Sequence, residues 1–198
     1  LESARRELFK VRDKRVHPGK DDKILTDWNG LMIAALAKGA RVFNEHEYEK
    51  AAKKSADLIL EKMRTKTGGL YHRYRDGESA IPGFVDDYAF LIWGLLELYE
   101  TTFEESYLKK SLELTVIQLE HFWDQKNVGF FFTSDEGWGE EEDMLFRKKE
   151  IYDGAIPSGN SVSMQNLLRL GKITGDRELE NKAMQIAGAF YGTVSRSP

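Results

Sequence analysis

Apolar and polar positions follow two different patterns along this chain. Trp28 to Phe43 is apolar nearly all round a helical wheel, through LMIAALAKGARVF. Glu47 to Met63 is one-sided: Tyr48, Ala51, Ala52, Ser55 and Ile59 recur at helical spacing while Lys53, Lys54, Asp57 and Glu61 face elsewhere. The alternation recurs twice. YAFLIWGLLELYE precedes the one-sided SYLKKSLELTVIQLEHFW, and VSMQNLLRL precedes RELENKAMQIAGAFYGTV. Six helices paired as three αα-hairpins, over about residues 28–63, 86–122 and 158–194, are the economical reading. A charged helix, ARRELFKVRDK, and a turn-rich linker, HPGKDD, come before them.

An internal repeat supports the pairing. LAKGARVFNEHEYEKAA from Leu36, LLELYETTFEESYLKKS from Leu95 and LLRLGKITGDRELENKA from Leu167 align without a gap, and Tyr48, Tyr107 and Leu179 coincide. Turns within a hairpin are tight and polar. Loops between hairpins are long, glycine-rich and carry β-like pieces, GGLYHRYRDGE and VGFFFTSDEGW. A helix that is apolar all round must be covered all round, so the alternation predicts an inner layer wrapped by an outer one. The fold class expected is all-α: one helical domain over residues 1–198, three αα-hairpins forming part of an (α/α)6 toroid, with short β-like hairpins in the inter-hairpin loops. A plain stack of hairpins fits the composition equally.

The repeat also aligns what precedes each inner helix. Asp27, Asp86 and Ser158 are equivalent, as are Trp28, Asp87 and Gly159, and then Asn29, Tyr88 and Asn160. Inner helices running the same way would gather these nine residues, and their free N–H groups, at one mouth. Asp, Asn and Ser before an apolar run are also ordinary helix caps. Under that reading each replacement costs about 1 kcal/mol of stability. Under the pocket reading, changes at Asp27, Asp87 and Asn160 remove ligand binding without lowering thermal stability.

Composition narrows the chemistry. A net charge of −4 with interspersed bases argues against nucleic acid. The absence of cysteine excludes thiolate metal sites and thiol catalysis, and is compatible with a cytoplasmic setting. No segment has the 18 continuous apolar residues of a membrane span, and the N-terminus lacks a signal-peptide pattern. A chain that starts at Leu1 and ends in SRSP reads as a piece of a longer one. No histidine pair has zinc-hydrolase spacing, and no Walker loop or nucleophile elbow is present, so neither a metal nor a cofactor is expected. The acid run Glu140 to Asp143 lacks calcium-loop spacing and reads as a solvated loop.

Aromatic residues beside carboxylates and amides suit a sugar, whose apolar ring face stacks while its hydroxyls are hydrogen-bonded. The candidate catalytic residues are Asp27 and Asp87, as an acid–base pair for a glycosidic bond in which Asp86 is the alternative partner of Asp27, and His72 as a proton carrier for an epimerisation. Adjacent Asp86 and Asp87 point about 100° apart on a helix, so one of them faces inward. The candidate substrate-binding residues are Trp28, Asn29, Asp86, Tyr88, Phe131, Arg147, Asp153, Ser158 and Asn160. Arg147 beside Asp153 could orient that loop or take an acidic sugar. His17, His46 and His121 carry no chemical role, and a solvated loop histidine is the plain alternative for His72.

Three ordered stretches, RDKRVHPGKDDKILTDWNGLMIAALAKGA, FVDDYAFLIWGLLELYE and DGAIPSGNSV, resemble the YyaL-like family, also called spermatogenesis-associated thioredoxin-like proteins. The resemblance covers essentially the whole chain. It implies an N-terminal thioredoxin-like domain elsewhere, followed by a six-hairpin region similar to N-acylglucosamine 2-epimerases and some glycoside hydrolases. It places the family's recurring positions on Arg15, Pro18, Asp22, Lys23, Trp28, Asn29, Asp87, Tyr88, Asp153, Pro157, Ser158, Gly159 and Asn160. The function expected is a toroid segment that binds or modifies sugar, epimerase-like or glycosidase-like. The alternative is a non-catalytic binding or scaffold module of a thioredoxin-like multidomain protein. The partners expected are a carbohydrate and either the rest of a longer chain or a second copy.

Overall fold

The computed structural model describes residues 1–136 and 147–196. Its elements run α1 (Glu2–Asp13), β1 (Ile24–Leu25), α2 (Thr26–Phe43), α3 (His46–Lys62), β2 (Tyr71–Arg75), β3 (Glu78–Pro82), α4 (Val85–Thr102), α5 (Glu105–His121), α6 (Gly159–Thr174) and α7 (Arg177–Val194). The three hairpins are α2–α3, α4–α5 and α6–α7. Each turns at an equivalent left-handed residue after its inner helix: Asn44, Phe103 and Gly175. The acid run Glu140 to Asp143 lies outside the described residues.

Burial follows the two sequence patterns. The central inner helix, α4, is buried on nearly every side, from Val85 through Leu98, while α3, α5 and α7 each bury one stripe. The core joins Ile33, Ile59, Leu91, Leu95, Leu114, Phe122, Phe130 and Leu170.

The inner helices run in the same direction. Early α2 meets early α4 at Gly30, where a Cβ would stand 2.5 Å from the Phe90 carbonyl carbon, so only glycine permits the approach. Further along, Thr101 Oγ1 donates to the Ala37 carbonyl at 3.0 Å, and Arg41 reaches Glu97 and Glu100. On the other flank Gly159 abuts Val85 and Asp86, Asn166 Nδ2 donates to the Ala89 carbonyl at 2.7 Å, and Arg169 reaches Glu97 and Glu100. All three N-termini therefore share one end of the arc.

The opposite end is held by charge. Glu97, 5% exposed, accepts from Arg41 at 2.8 Å, Arg169 at 2.9 Å and Trp93 Nε1 at 3.2 Å. One carboxylate thus brackets three inner helices. Glu97→Ala is expected to cost about 3 kcal/mol, because two arginines lose the more buried of the two carboxylates they share, and the remaining pairing to Glu100 with their partial exposure keeps the loss at the low end for a buried pair. Urea denaturation at neutral pH checks it, with Glu97→Gln expected to fall between wild type and alanine.

The β-like piece before α4 is a hairpin, β2–β3, turning through Asp76 and Gly77 at φ 52° and 84°, both positive as a type I′ turn requires. β1 adds a third antiparallel strand, pairing Ile24 with Tyr74 and Leu25 with Arg73, which the sequence pattern did not indicate. The second β-like piece is shorter. Among the described residues it forms one bridge, Trp123 with Phe130, because Phe132 turns to pair with residue 148 and with α4: its N–H donates to the Lys148 carbonyl and its carbonyl accepts from Val85.

Exposed apolar residues concentrate at α1 and at the two ends of the arc. α1 buries nothing, leaving Leu8, Phe9 and Val11 in solvent. α2 exposes Trp28, Met32 and Val42, and the last hairpin exposes Met184, Tyr191 and Val194 beside a cavity of ≈ 200 Å³ between α6 and α7.

Candidate functional site

The mouth is assembled from the first turns of the inner helices and from β2. Asp87 is the third residue of α4 and is 0% exposed. It accepts from Phe84 N at 2.7 Å, closing its own helix start, and from Asp27 N at 2.9 Å, fastening α2 beside α4. His72 Nδ1–H donates to both of its oxygens, at 3.0 and 3.1 Å. β2 carries His72 to this point because Thr26 Oγ1, at the start of α2, donates to the Tyr71 carbonyl at 2.6 Å. The ring edge of His72 meets Phe84 at 5.2 Å, and Phe84 stacks on Phe132 at 4.8 Å. Nδ1 is thereby fixed as the donor, and Nε2 has no hydrogen-bond partner among the described residues.

Two more carboxyls border the dyad. Asp27 is largely buried, and its Oδ1 accepts from Trp28 N at 2.7 Å. Asp86 presses Oδ1 against Gly159, where a Cβ would stand 2.3 Å away, and this oxygen is buried without a well-formed hydrogen bond. The Gly159 N–H, which faces it, pulls the pKa of Asp86 down against its burial. Burial, then the charges of Asp87 and Asp27, raise Asp86 to about 7. Burial also raises Asp27, opposed by the Trp28 N–H and by His72. His72 is raised, chiefly by its bond to Asp87 and against its burial. Burial pushes Asp87 upward against the pull of His72. With three N–H groups aimed at it, Asp87 is the carboxylate of the pair.

Asp27, His72 and Asp87 offer atoms within 4.8 Å of one another, a spacing a metal ion could bridge. Against a metal, both Asp87 oxygens already accept from two backbone amides and the imidazole.

The structure brings together Asp27, His72, Asp86 and Asp87, with Trp28 exposed at the rim. The residues at the third aligned position serve another end. Asn29 Nδ2 donates to the Leu25 carbonyl and its oxygen accepts from Ser55 on α3. Tyr88 Oη accepts from Leu70 N, and Asn160 clamps Phe130 through both its N–H and its carbonyl. Ser158 caps α6 through the Ser161 N–H, and Asp153 accepts from Ser158 N. Phe131 lies under Arg147 at 4.4 Å, and Arg147 donates to the Thr133 and His121 carbonyls, away from the dyad.

Three contributors lay outside the sequence expectation: Thr26, Phe84 and a repeated turn. Tyr71 N donates to the Met63 carbonyl as Phe131 N does to Phe122, and Thr65 N to Gly69 as Asp124 N does to Gly129. Each turn delivers a glycine-led apolar residue, Leu70 or Phe130, to the next inner helix. The shared signal is Gly69-Leu70-Tyr71 against Gly129-Phe130-Phe131.

Parallel apolar inner helices, wrapped by one-sided outer helices and opening at their N-termini, define an all-α protein of partial six-hairpin toroid form. Solved structures agree on the fold. A family 76 glycoside hydrolase from a bovine Bacteroides thetaiotaomicron strain superposes with TM-score 0.72 at 21% identity, covering 88% of this chain and 36% of that one. Cellobiose 2-epimerase from Bacillus thermoamylovorans gives 0.70 at 16% identity, covering 89% and 46%.

The chain is a strong match over its whole length to the spermatogenesis-associated, YyaL-like family. It is 35% identical to spermatogenesis-associated protein 20 of Homo sapiens over 208 residues, covering 100% of this chain and 26% of that protein. It is 36% identical to the uncharacterized protein B0495.5 of Caenorhabditis elegans over 203 residues, covering 99% and 27%. The chain thus spans about a quarter of the length of these curated relatives. No protein-family profile matches it. No helix among the described residues is long and apolar enough to cross a membrane.

Proposed function

We propose that this chain forms one side of the cleft of a longer six-hairpin protein that moves a proton on a sugar, epimerase-like. His72 acts as the general acid–base through Nε2, and Asp87 orients it. Asp27 and Asp86 receive hydroxyls, and Trp28 stacks at the rim. The observation that carries this reading is the bond from His72 Nδ1 to a wholly buried Asp87, which fixes the tautomer and directs the second nitrogen outward.

A glycosidase-like pairing of Asp27 with Asp87 is less favoured. Their ligand atoms lie within 4.8 Å, short of the room an inverting water requires, and Asp87 is too buried and too fully hydrogen-bonded to be a nucleophile. A non-catalytic scaffold is the second reading, favoured by Asn29, Tyr88 and Asn160 all binding backbone or neighbouring helix. In either case the apolar edges at α2 and α7 suit further hairpins of the same protein or a second copy.

The test is solvent-deuterium incorporation into mono- and disaccharides by the full-length protein, followed by NMR. His72→Gln is expected to lower kcat by at least about a hundredfold with little change in KM. Full activity in His72→Gln, or no exchange with any sugar, overturns the reading.

A further inference from the structure

The donor and acceptor inventory of the mouth is lopsided. Asp27 Oδ2 and both oxygens of Asp86 have no hydrogen-bond donor with good geometry among the described residues, and His72 Nε2, the ring nitrogen left unbonded, donates only when the imidazole is protonated. Nearby cations are engaged elsewhere. Arg147 binds the Thr133 and His121 carbonyls, Lys149 binds Asp124 and the Val128 carbonyl, and Lys148 binds Glu150. Arg73 follows His72 in β2 and so leaves from the opposite face of the strand. Arg75 pairs with Asp22. Asp87, Asp27 and Glu150 are the charges that push Asp86 upward, and the cation that faces it is His72.

We infer, resting on the sugar reading above, that this mouth selects uncharged, hydroxyl-rich sugars and rejects their anionic counterparts, with Asp86 as the specificity-determining residue. Sugar hydroxyls supply donors to Asp27 Oδ2 and Asp86 Oδ2, Asp86 Oδ1 being sealed against Gly159. A uronate or phosphate would place a second anion beside carboxylates that no cation offsets except His72, and in a partly buried site that repulsion is weakly screened. This reverses the sequence-level suggestion that Arg147 receives an acidic sugar, since its guanidinium faces the Thr133 and His121 carbonyls.

The experiment is calorimetric titration of the full-length protein at pH 8 with matched pairs: glucose against glucuronate, and mannose against mannuronate. The neutral member is expected to bind at least about tenfold more tightly, a ratio within reach of one uncompensated like charge. Asp86→Asn is expected to shrink the gap to about threefold or less by improving uronate binding. Equal or tighter uronate binding by the unaltered protein overturns the inference while leaving the sugar reading intact. A gap unchanged in Asp86→Asn removes Asp86 from the role. If neither member of either pair binds, the sugar reading itself falls, and the inference with it.

Discussion

Asp87→Ala is expected to destabilise the protein by about 4 kcal/mol, lowering its melting temperature by about 10 °C for a chain of this size. Three donors lose their acceptor together: Phe84 N, Asp27 N and His72 Nδ1. None can turn to water without moving a helix, because the carboxylate they share is wholly buried. An exposed cap would cost about 1 kcal/mol, and a pure ligand-binding residue close to nothing. Asp87→Asn keeps one acceptor oxygen and is expected to fall between alanine and wild type. Thermal and urea denaturation of the two variants, with hydrogen exchange at Asp27 and Phe84, distinguishes these outcomes. A loss of 1 kcal/mol or less in Asp87→Ala would return this residue to the role of a simple cap. The larger value means that activity of this variant alone cannot separate chemistry from folding, which is why His72 carries the functional test.

The inner–outer alternation was legible because burial on all sides leaves its mark on every residue of a helix. YAFLIWGLLEL admits no polar face, and the structure covers α4 from Val85 through Leu98. Convergence of the helix starts was legible too, since a repeat that aligns helix ends must align their directions. What each aligned residue does at that end was not legible. Asn29, Tyr88 and Asn160 look like a polar surplus in sequence, yet each reaches sideways to a neighbouring loop or helix. A rotation of about 100° per residue separates a group lining a recess from one gripping the chain behind it, and residue type does not encode that angle. The turns that deliver Leu70 and Phe130 escaped for a different reason. They differ in length by one residue and share backbone bonds more than side chains.

Asp86→Asn is expected to do the opposite of Asp87→Ala: it should stabilise the protein, and only above mildly acidic pH. Burial and the neighbouring acids raise Asp86 from an ordinary 3.8 to about 7 in the folded state. The folded protein therefore holds a proton that the unfolded chain releases, so stability is fully present below about pH 4 and is lost as pH rises toward 7. Raised values at Asp27 and His72 act in the same direction, the histidine losing its favourable charge as pH climbs through its folded value. Glu100 opposes them at the other end of the arc. Although burial pushes it upward, Arg169 and Arg41 hold it below the usual range, so its contribution is lost only as pH falls through that lowered value. An asparagine at position 86 is neutral throughout, and removes a penalty of up to about 4 kcal/mol at pH 8. Melting curves from pH 4 to pH 8 should show the variant and wild type together at the acid end and diverging as pH rises, with the variant higher. Curves that stay parallel across that range would mean Asp86 is ionised at ordinary pH, and that water or a cation offsets the acids around it.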